Sequence, residues 1–270
     1  MNAEEILVAL AVKYKGNWET ILSILNRGLD DITSGEDIEE YDLENWLEVA
    51  KNSDYKYTTI LSDDYPEIVK KAYMPPFVLF YHGDISLLKN IGNNLAVVGS
   101  RDCSEYGAEM TKKIVSEVCR DFNIVSGLAR GIDSVAHETA IKSGGKTIAV
   151  LAGGINYCYP LRNRELYNII KENHLVISEY PGDTVPEPYF FPRRNRIISM
   201  ISSATLVTEA YEKSGTLTTV MFSLQCERLI LCVPYLATSN SECNRLIAEG
   251  AYLVQNGNDV LEILKKDSHI

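Results

Sequence analysis

No stretch of this sequence stays apolar for the roughly 18 residues that a membrane span requires, so the chain does not read as a membrane protein. The N-terminus, MNAEEILVALAVKYKG, begins acidic. It lacks the basic start and small-residue cleavage site of a secretory signal, and a cytoplasmic location is expected. Six cysteines are scattered without a CxxC pair, and only four histidines accompany them, none at metal-ligand spacing. A disulfide framework or structural zinc site is therefore not expected. No GxGxxG follows a strand, and there is no HExxH and no nucleophile elbow. The SGGKT at 143–147 ends like a P-loop. Ala140 stands where that motif needs its first glycine, however, and the segment leads into a strand instead of a helix.

What the chain has is acid in one place and arginine in another. Residues 1–62 hold 13 acidic and 5 basic residues, so they supply −8 of the formal net charge of −11. The remainder is near neutral, with clustered arginines, and a low overall pI does not exclude an anionic ligand there. Residues 1–57 read as a small helical module: EEILVALAVKY, NWETILSILNRG and DLENWLEVAKN space apolar residues three or four apart, with Gly28 and Gly35 as punctuation. Its acidic faces suit solvent or a protein partner. Residues 58–270 begin with a Pro-rich connection carrying a short strand. Short apolar runs then alternate with helical stretches: LAVVG (95–99), NIVSG (123–127), TIAVLAGG (147–154), LVISEY (175–180), ATLVTEA (204–210), RLILCVP (228–234) and YLV (252–254). That alternation predicts an α/β fold, a mostly parallel Rossmann-like sheet with helices on both faces.

In such a fold the functional loops gather beyond the carboxyl ends of the strands. Five strand ends carry glycines, small hydroxyls and arginines: Gly99-Ser100-Arg101, SGLARGIDSVAHETAI (126–141), AGGINYCYPLRNREL (152–166), SEYPGD leading into FPRRNRIIS (191–199), and TEAYEKSGTLTT (208–219). Glycines admit close backbone approach, helix N-termini offer free N–H groups, and arginine forks match phosphate. Each piece has a plainer reading. Gly127 and Gly131 serve as turn residues, Ser214-Gly215-Thr216 as a helix cap, and the arginines as a solvated helix start. Asp133 and His137, four apart, share a helix face and suit a hydrogen-bonded pair that braces the loop better than acid–base catalysis. Their joint occurrence at five strand ends points to an anion site built to hold phosphate.

These motifs, in this order and spacing from about Tyr65 to about Leu264, resemble the DNA-processing protein A (DprA, or Smf) family of bacteria. The resemblance implies an extended Rossmann-like fold that binds single-stranded DNA, protects it and helps load a RecA-type recombinase, as in natural transformation. It implies a homodimer, no cofactor and no catalytic step. Many members carry a C-terminal winged helix, which is not expected in a chain ending at Ile270. Carried over by motif, Gly99, Ser100, Arg101, Gly127, Arg130, Gly131, Arg162, Asn163, Arg193, Arg194, Asn195, Lys213, Ser214, Gly215 and Thr216 are the DNA- and phosphate-binding residues. Asp133, His137, Glu179, Arg196 and Glu209 support them. With a helix beginning after Pro192, Arg194 is expected to point into the groove and Arg196 to brace Glu179 or Glu209. The sequence departs from the family pattern at Leu161, where a lysine is common and Arg162 follows, and at Tyr235, where a glycine is usual near the expected dimer surface. The alternative is an enzyme or sensor for a nucleotide-derived small molecule, similar to LOG-type nucleoside phosphate hydrolases, with Glu209 as its catalytic candidate.

Overall fold

The structure, a computed structural model, describes residues 1–28 and 42–267; Gly35 lies outside them. The chain opens with α1 (Ala3–Lys13), started by a capping box in which Asn2 and Glu5 satisfy each other's backbone N–H groups. Next comes α2 (Trp18–Leu25), capped by the Asn17 side chain, and then α3 (Leu43–Lys51). Strand β1 (Lys56–Thr59) follows, a short mixed segment that straddles the boundary expected at 57/58. The four-residue helix α4 (Glu67–Lys70) and β2 (Val78–Gly83) complete the connection.

From there strands and helices alternate: β3 (Asn94–Gly99), α5 (Glu105–Val118), β4 (Asn123–Ser126), α6 (Ile132–Lys142), β5 (Thr147–Val150), α7 (Arg164–Asn173), β6 (Leu175–Ser178), α8 (Phe190–Met200), β7 (Ala204–Glu209), α9 (Gly215–Gln225), β8 (Leu229–Cys232), α10 (Glu242–Ala248), β9 (Tyr252–Leu253) and α11 (Gly257–Asp267). Among the described residues nine strands form one sheet in the order β1-β2-β6-β5-β4-β3-β7-β8-β9. Strands β3 to β9 pair in parallel, while β1 and β2 add an antiparallel edge beside β6. This is the mostly parallel α/β fold that the apolar runs predict.

Both faces of the sheet are covered. Leu95 and Val97 of β3 pack with Ile114 and Val118 of α5 and Ala136 of α6, whereas Ala96 and Val98 pack with Ile197 and Ile198 of α8. Alternate residues of one strand thus enter two cores, which is why the run is continuously apolar. The N-terminal helices do not stand apart. Leu7 and Leu10 of α1 share a core with Phe80 of β2, Val176 of β6 and Ile170 of α7. Among the described residues no helix is long and apolar enough to cross a membrane.

Candidate functional site

The strand order reverses between β3 and β7, which opens a crevice at their carboxyl ends. Two loops meet there, backbone against backbone. The Ile132 N–H donates to the Ser100 carbonyl at 3.1 Å. Gly131 sits at φ +78°, and a β-carbon on it would lie 2.3 Å from the Ser100 oxygen. Only glycine allows that conformation and that approach together.

The arginines of FPRRNR divide among three places. Helix α8 begins at Phe190, before Pro192 and not after it. Proline is tolerated in a first helical turn, because its missing N–H has no partner to lose there. Arg193, Arg194 and Arg196 therefore all lie on the helix and point apart, at about 100° per residue. Arg193 turns away from the crevice and forms a forked ion pair with Glu19 of α2, one arm at 2.9 Å. Arg196, 2% exposed, donates to Glu179 at 2.6 Å, to the Met74 carbonyl at 3.0 Å and to the Arg193 carbonyl at 3.1 Å.

Arg194, expected to point into the groove, lines both clefts of the crevice from beneath. It is buried at 5% exposure and lies under the β4–α6 loop, donating to the Gly127 carbonyl at 2.6 Å and to the Val150 carbonyl. Its Nε donates to Asn195 Oδ1 at 3.1 Å, and Asn195 Nδ2 reaches the Gly215 carbonyl at 3.2 Å, joining α8 to the start of α9. Burial lowers the Arg194 pKa to about 10, against the pull of the Asp133 carboxylate, so its charge persists at neutral pH. Arg194 thus forms the charged floor of the crevice.

Asp133 and His137 do not bond to each other. Asp133 Oδ2 accepts from the Gly127 and Ala129 N–H groups at 3.2 and 3.3 Å, and burial raises its pKa. His137 Nδ1 lies 2.6 Å from the Thr147 hydroxyl, which itself donates to the Ile124 carbonyl at 2.7 Å. The hydroxyl has spent its proton, so His137 must donate from Nδ1. Its Nε2 is buried without a partner, and burial lowers the imidazole pKa to about 3. Asn163 is also buried. Its amide donates to the Leu128 and Ala129 carbonyls at 2.9 and 3.3 Å, which makes it a brace of the same loop and not a free phosphate donor.

Glu209, the catalytic candidate of the enzyme alternative, is fully buried with both oxygens engaged. Oε2 accepts from the Ser104 N–H at the start of α5 at 2.8 Å, and Oε1 from the Tyr211 hydroxyl at 2.5 Å. Beside it Tyr235 fills space instead of leaving it open. Its hydroxyl donates to the Thr208 carbonyl at 3.0 Å, and its ring meets Tyr106 edge-on at 4.9 Å.

Two clefts, ≈ 860 Å³ and ≈ 430 Å³, lie over this floor and share Arg101, Ala129, Phe191 and Arg194. Gly99, Ser100, Ser214, Gly215 and Thr216 line the larger; Gly127, Arg130 and Arg162 line the smaller. Arg101, Arg130 and Arg162 are exposed, Arg130 in an ion pair with Asp102 at 2.8 Å. Lys213 is exposed at φ +61°, immediately before the larger cleft. Between the clefts the Arg101 guanidinium lies 5.1 Å from the Phe191 ring, and Tyr159 meets Phe191 edge-on at 5.7 Å. These aromatics are absent from the residues singled out by sequence. Their signal was position: each adjoins a proline inside a motif already noted.

A family model described as DNA recombination-mediator protein A matches residues 56–265. The DNA processing protein DprA of Streptococcus pneumoniae is 42% identical over 205 residues, 75% of this chain and 72% of that protein. An X-ray structure of DNA processing protein A from Streptococcus pneumoniae superposes with a TM-score of 0.84 at 34% identity, covering 97% of this chain and 98% of that one. A structure of DNA processing protein A from Helicobacter pylori, described for its single-stranded DNA binding mode, superposes with a TM-score of 0.70 at 26% identity, covering 81% of this chain and 99% of that one.

Proposed function

Because the chain belongs to the DNA recombination-mediator protein A family, we propose that it binds single-stranded DNA along the paired clefts and acts as a recombination mediator without a catalytic step. The observation that carries this reading is the Arg101–Phe191 contact where the two clefts meet. A cation beside the half-buried Phe191 ring gives one partner to a phosphate and another to a base face. Arg130 and Arg162 continue the positive lining on one side, and the glycine loops and the start of α9 supply backbone N–H groups on the other. Arg194, held beneath, adds fixed charge without needing to move. Nothing here presents a set of side chains to read base edges, so binding is indifferent to sequence.

Protected strand delivered to a RecA-type recombinase, in the cytoplasm and by a homodimer joined through the segment after Pro234, completes the proposal. Exposed Leu236, Tyr252 and Leu253 leave an apolar edge at that segment for a second copy. Gel shifts with single-stranded, duplex and RNA oligonucleotides test the first part: the single strand is expected to bind best, and equal retention of duplex would overturn it. Light scattering tests the dimer, and a single 30.2 kDa species at micromolar concentration, with and without DNA, would defeat it.

A further inference from the structure

The loop that leads from β5 to α7 brings Tyr157, Tyr159 and Arg162 to the smaller cleft. Tyr159 meets Phe191 there, the ring beside Arg101, so the loop's position sets where that aromatic pair stands. Three successive N–H groups, of Gly154, Ile155 and Asn156, tie its backbone to the Thr184, Tyr180 and Gly182 carbonyls at 2.8, 2.9 and 2.9 Å. The Asn156 side chain, which lines neither cleft, makes a tie in another direction. Its Nδ2 donates to Asp54 Oδ1 at 2.8 Å, and its Oδ1 lies 2.8 Å from His82 Nε2. Among the described residues no other side chain of 151–160 hydrogen-bonds beyond the loop.

Asp54 stands on the turn between α3 and β1, and Lys171 of α7 holds its other oxygen at 3.0 Å. The Asn156 amide and that ammonium hold the Asp54 carboxyl below its ordinary range, so it has no proton to donate at neutral pH. The amide nitrogen of Asn156 must therefore face Asp54, and its oxygen must accept from His82, whose Nε2 carries the proton. His82 is 6% exposed in β2, a strand paired on both sides by β1 and β6. One amide thus joins the cleft loop to an interior strand and to the turn that follows the N-terminal helices. We propose that Asn156 is a positioning residue for single-strand binding, through which Asp54 and His82 hold the aromatic side of the smaller cleft in place. The inference rests on the reading of the clefts as the DNA site. A loop freed of this tie must be ordered by the strand as it binds, which lowers affinity, while every phosphate contact remains. No residue of 1–57 lines either cleft, yet through Asp54 the seating of the helical module bears on DNA affinity.

Fluorescence anisotropy with a labelled oligothymidylate, at a temperature well below every variant's melting transition, tests this. Asn156→Ala and His82→Leu are each expected to weaken binding about two- to tenfold and to keep the slope of log affinity against log salt. His82→Gln keeps a donor for Asn156 and should bind like the parent. Asp54→Ala and Asp54→Asn remove the same charge, but only the second keeps an acceptor, so it should bind the more tightly of the two. Hydrogen exchange without DNA gives a second readout: the backbone amides of 154–159 should exchange faster in Asn156→Ala and His82→Leu than in His82→Gln. Parent-like affinity of Asn156→Ala, equal weakening by His82→Leu and His82→Gln, or a reduced salt slope would overturn the proposal. A parent protein that itself fails to bind the oligothymidylate would overturn the DNA reading first, and this inference with it.

Discussion

A β-carbon placed on Gly127 would sit 2.4 Å from the guanidinium carbon of Arg194. The glycine is therefore fixed by the arginine beneath it as much as by any turn above it. Gly127→Ala is expected to push Arg194 off the Gly127 and Val150 carbonyls, and Arg194→Ala to leave those carbonyls without their donor. Loss of a buried, charge-assisted hydrogen bond costs about 1.5–3 kcal/mol, so both variants should melt well below the parent in thermal unfolding. An Arg194→Ala protein that melts like the parent would show that the floor is not structural.

The ion pair of Arg196 with Glu179 is the most deeply buried among the described residues, with side chains 2% and 4% exposed. Removing one partner strands the other charge, at a cost of roughly 3–5 kcal/mol. Arg196→Ala and Glu179→Ala should each lower the denaturation midpoint strongly. Arg193→Ala should cost less, because its partner Glu19 is 56% exposed and water can replace the arginine. Equal losses at Arg193 and Arg196 would refute this ranking.

His137 gives the fold a defined acid sensitivity. Its folded pKa is held at about 3 by burial, below the ordinary histidine value of 6.5. Between those values the unfolded chain binds a proton that the native state refuses. Stability is therefore complete above pH 6.5 and is lost as pH falls through the window. Burial lowers the pKa of His82 and His174 as well, so they act in the same direction. His137→Asn keeps a donor for Thr147 and removes the titration, so its stability should decline less steeply below pH 6, by up to about 1.4 kcal/mol per unit. Parallel pH profiles for parent and variant would rule out this role.

The parallel sheet was legible because strands covered on both faces are nearly continuously apolar, as LAVV of β3 and IAV of β5 are. The first three helices were legible from their spacing. Strand β1 was not, because KYTT has no run long enough to read and gains its place only by pairing with β2. At the site, the motifs located the crevice, but side-chain direction escaped them. Whether Arg194 faces solvent or the floor depends on the Gly127 and Val150 carbonyls, 67 and 44 positions away. Asp133 and His137 have the right spacing to pair, yet backbone N–H groups and Thr147 claim them first. Local pattern cannot rank partners that arrive from distant strands.

Charge and ring at the meeting of the clefts are separable by salt. Arg101 is exposed, and its guanidinium lies 5.1 Å from the Phe191 ring. If the guanidinium neutralises one phosphate, Arg101→Ala should weaken single-strand binding and reduce the slope of log affinity against log salt by about 0.7, the value for one contact on a single strand. Lys142→Ala removes the same charge from the far end of α6, where the lysine is paired with Glu138, and should change neither quantity. Phe191→Ala removes a base-stacking surface worth about 1–3 kcal/mol while leaving the phosphate contact in place. Its affinity should fall with the salt slope kept. A double-mutant cycle then measures how far ring and cation act together, since Phe191 also holds Arg101 in position. Additive losses would mean that the two touch the strand independently. Equal effects of Arg101→Ala and Lys142→Ala would mean that only net charge matters, and the cleft would no longer be the binding site.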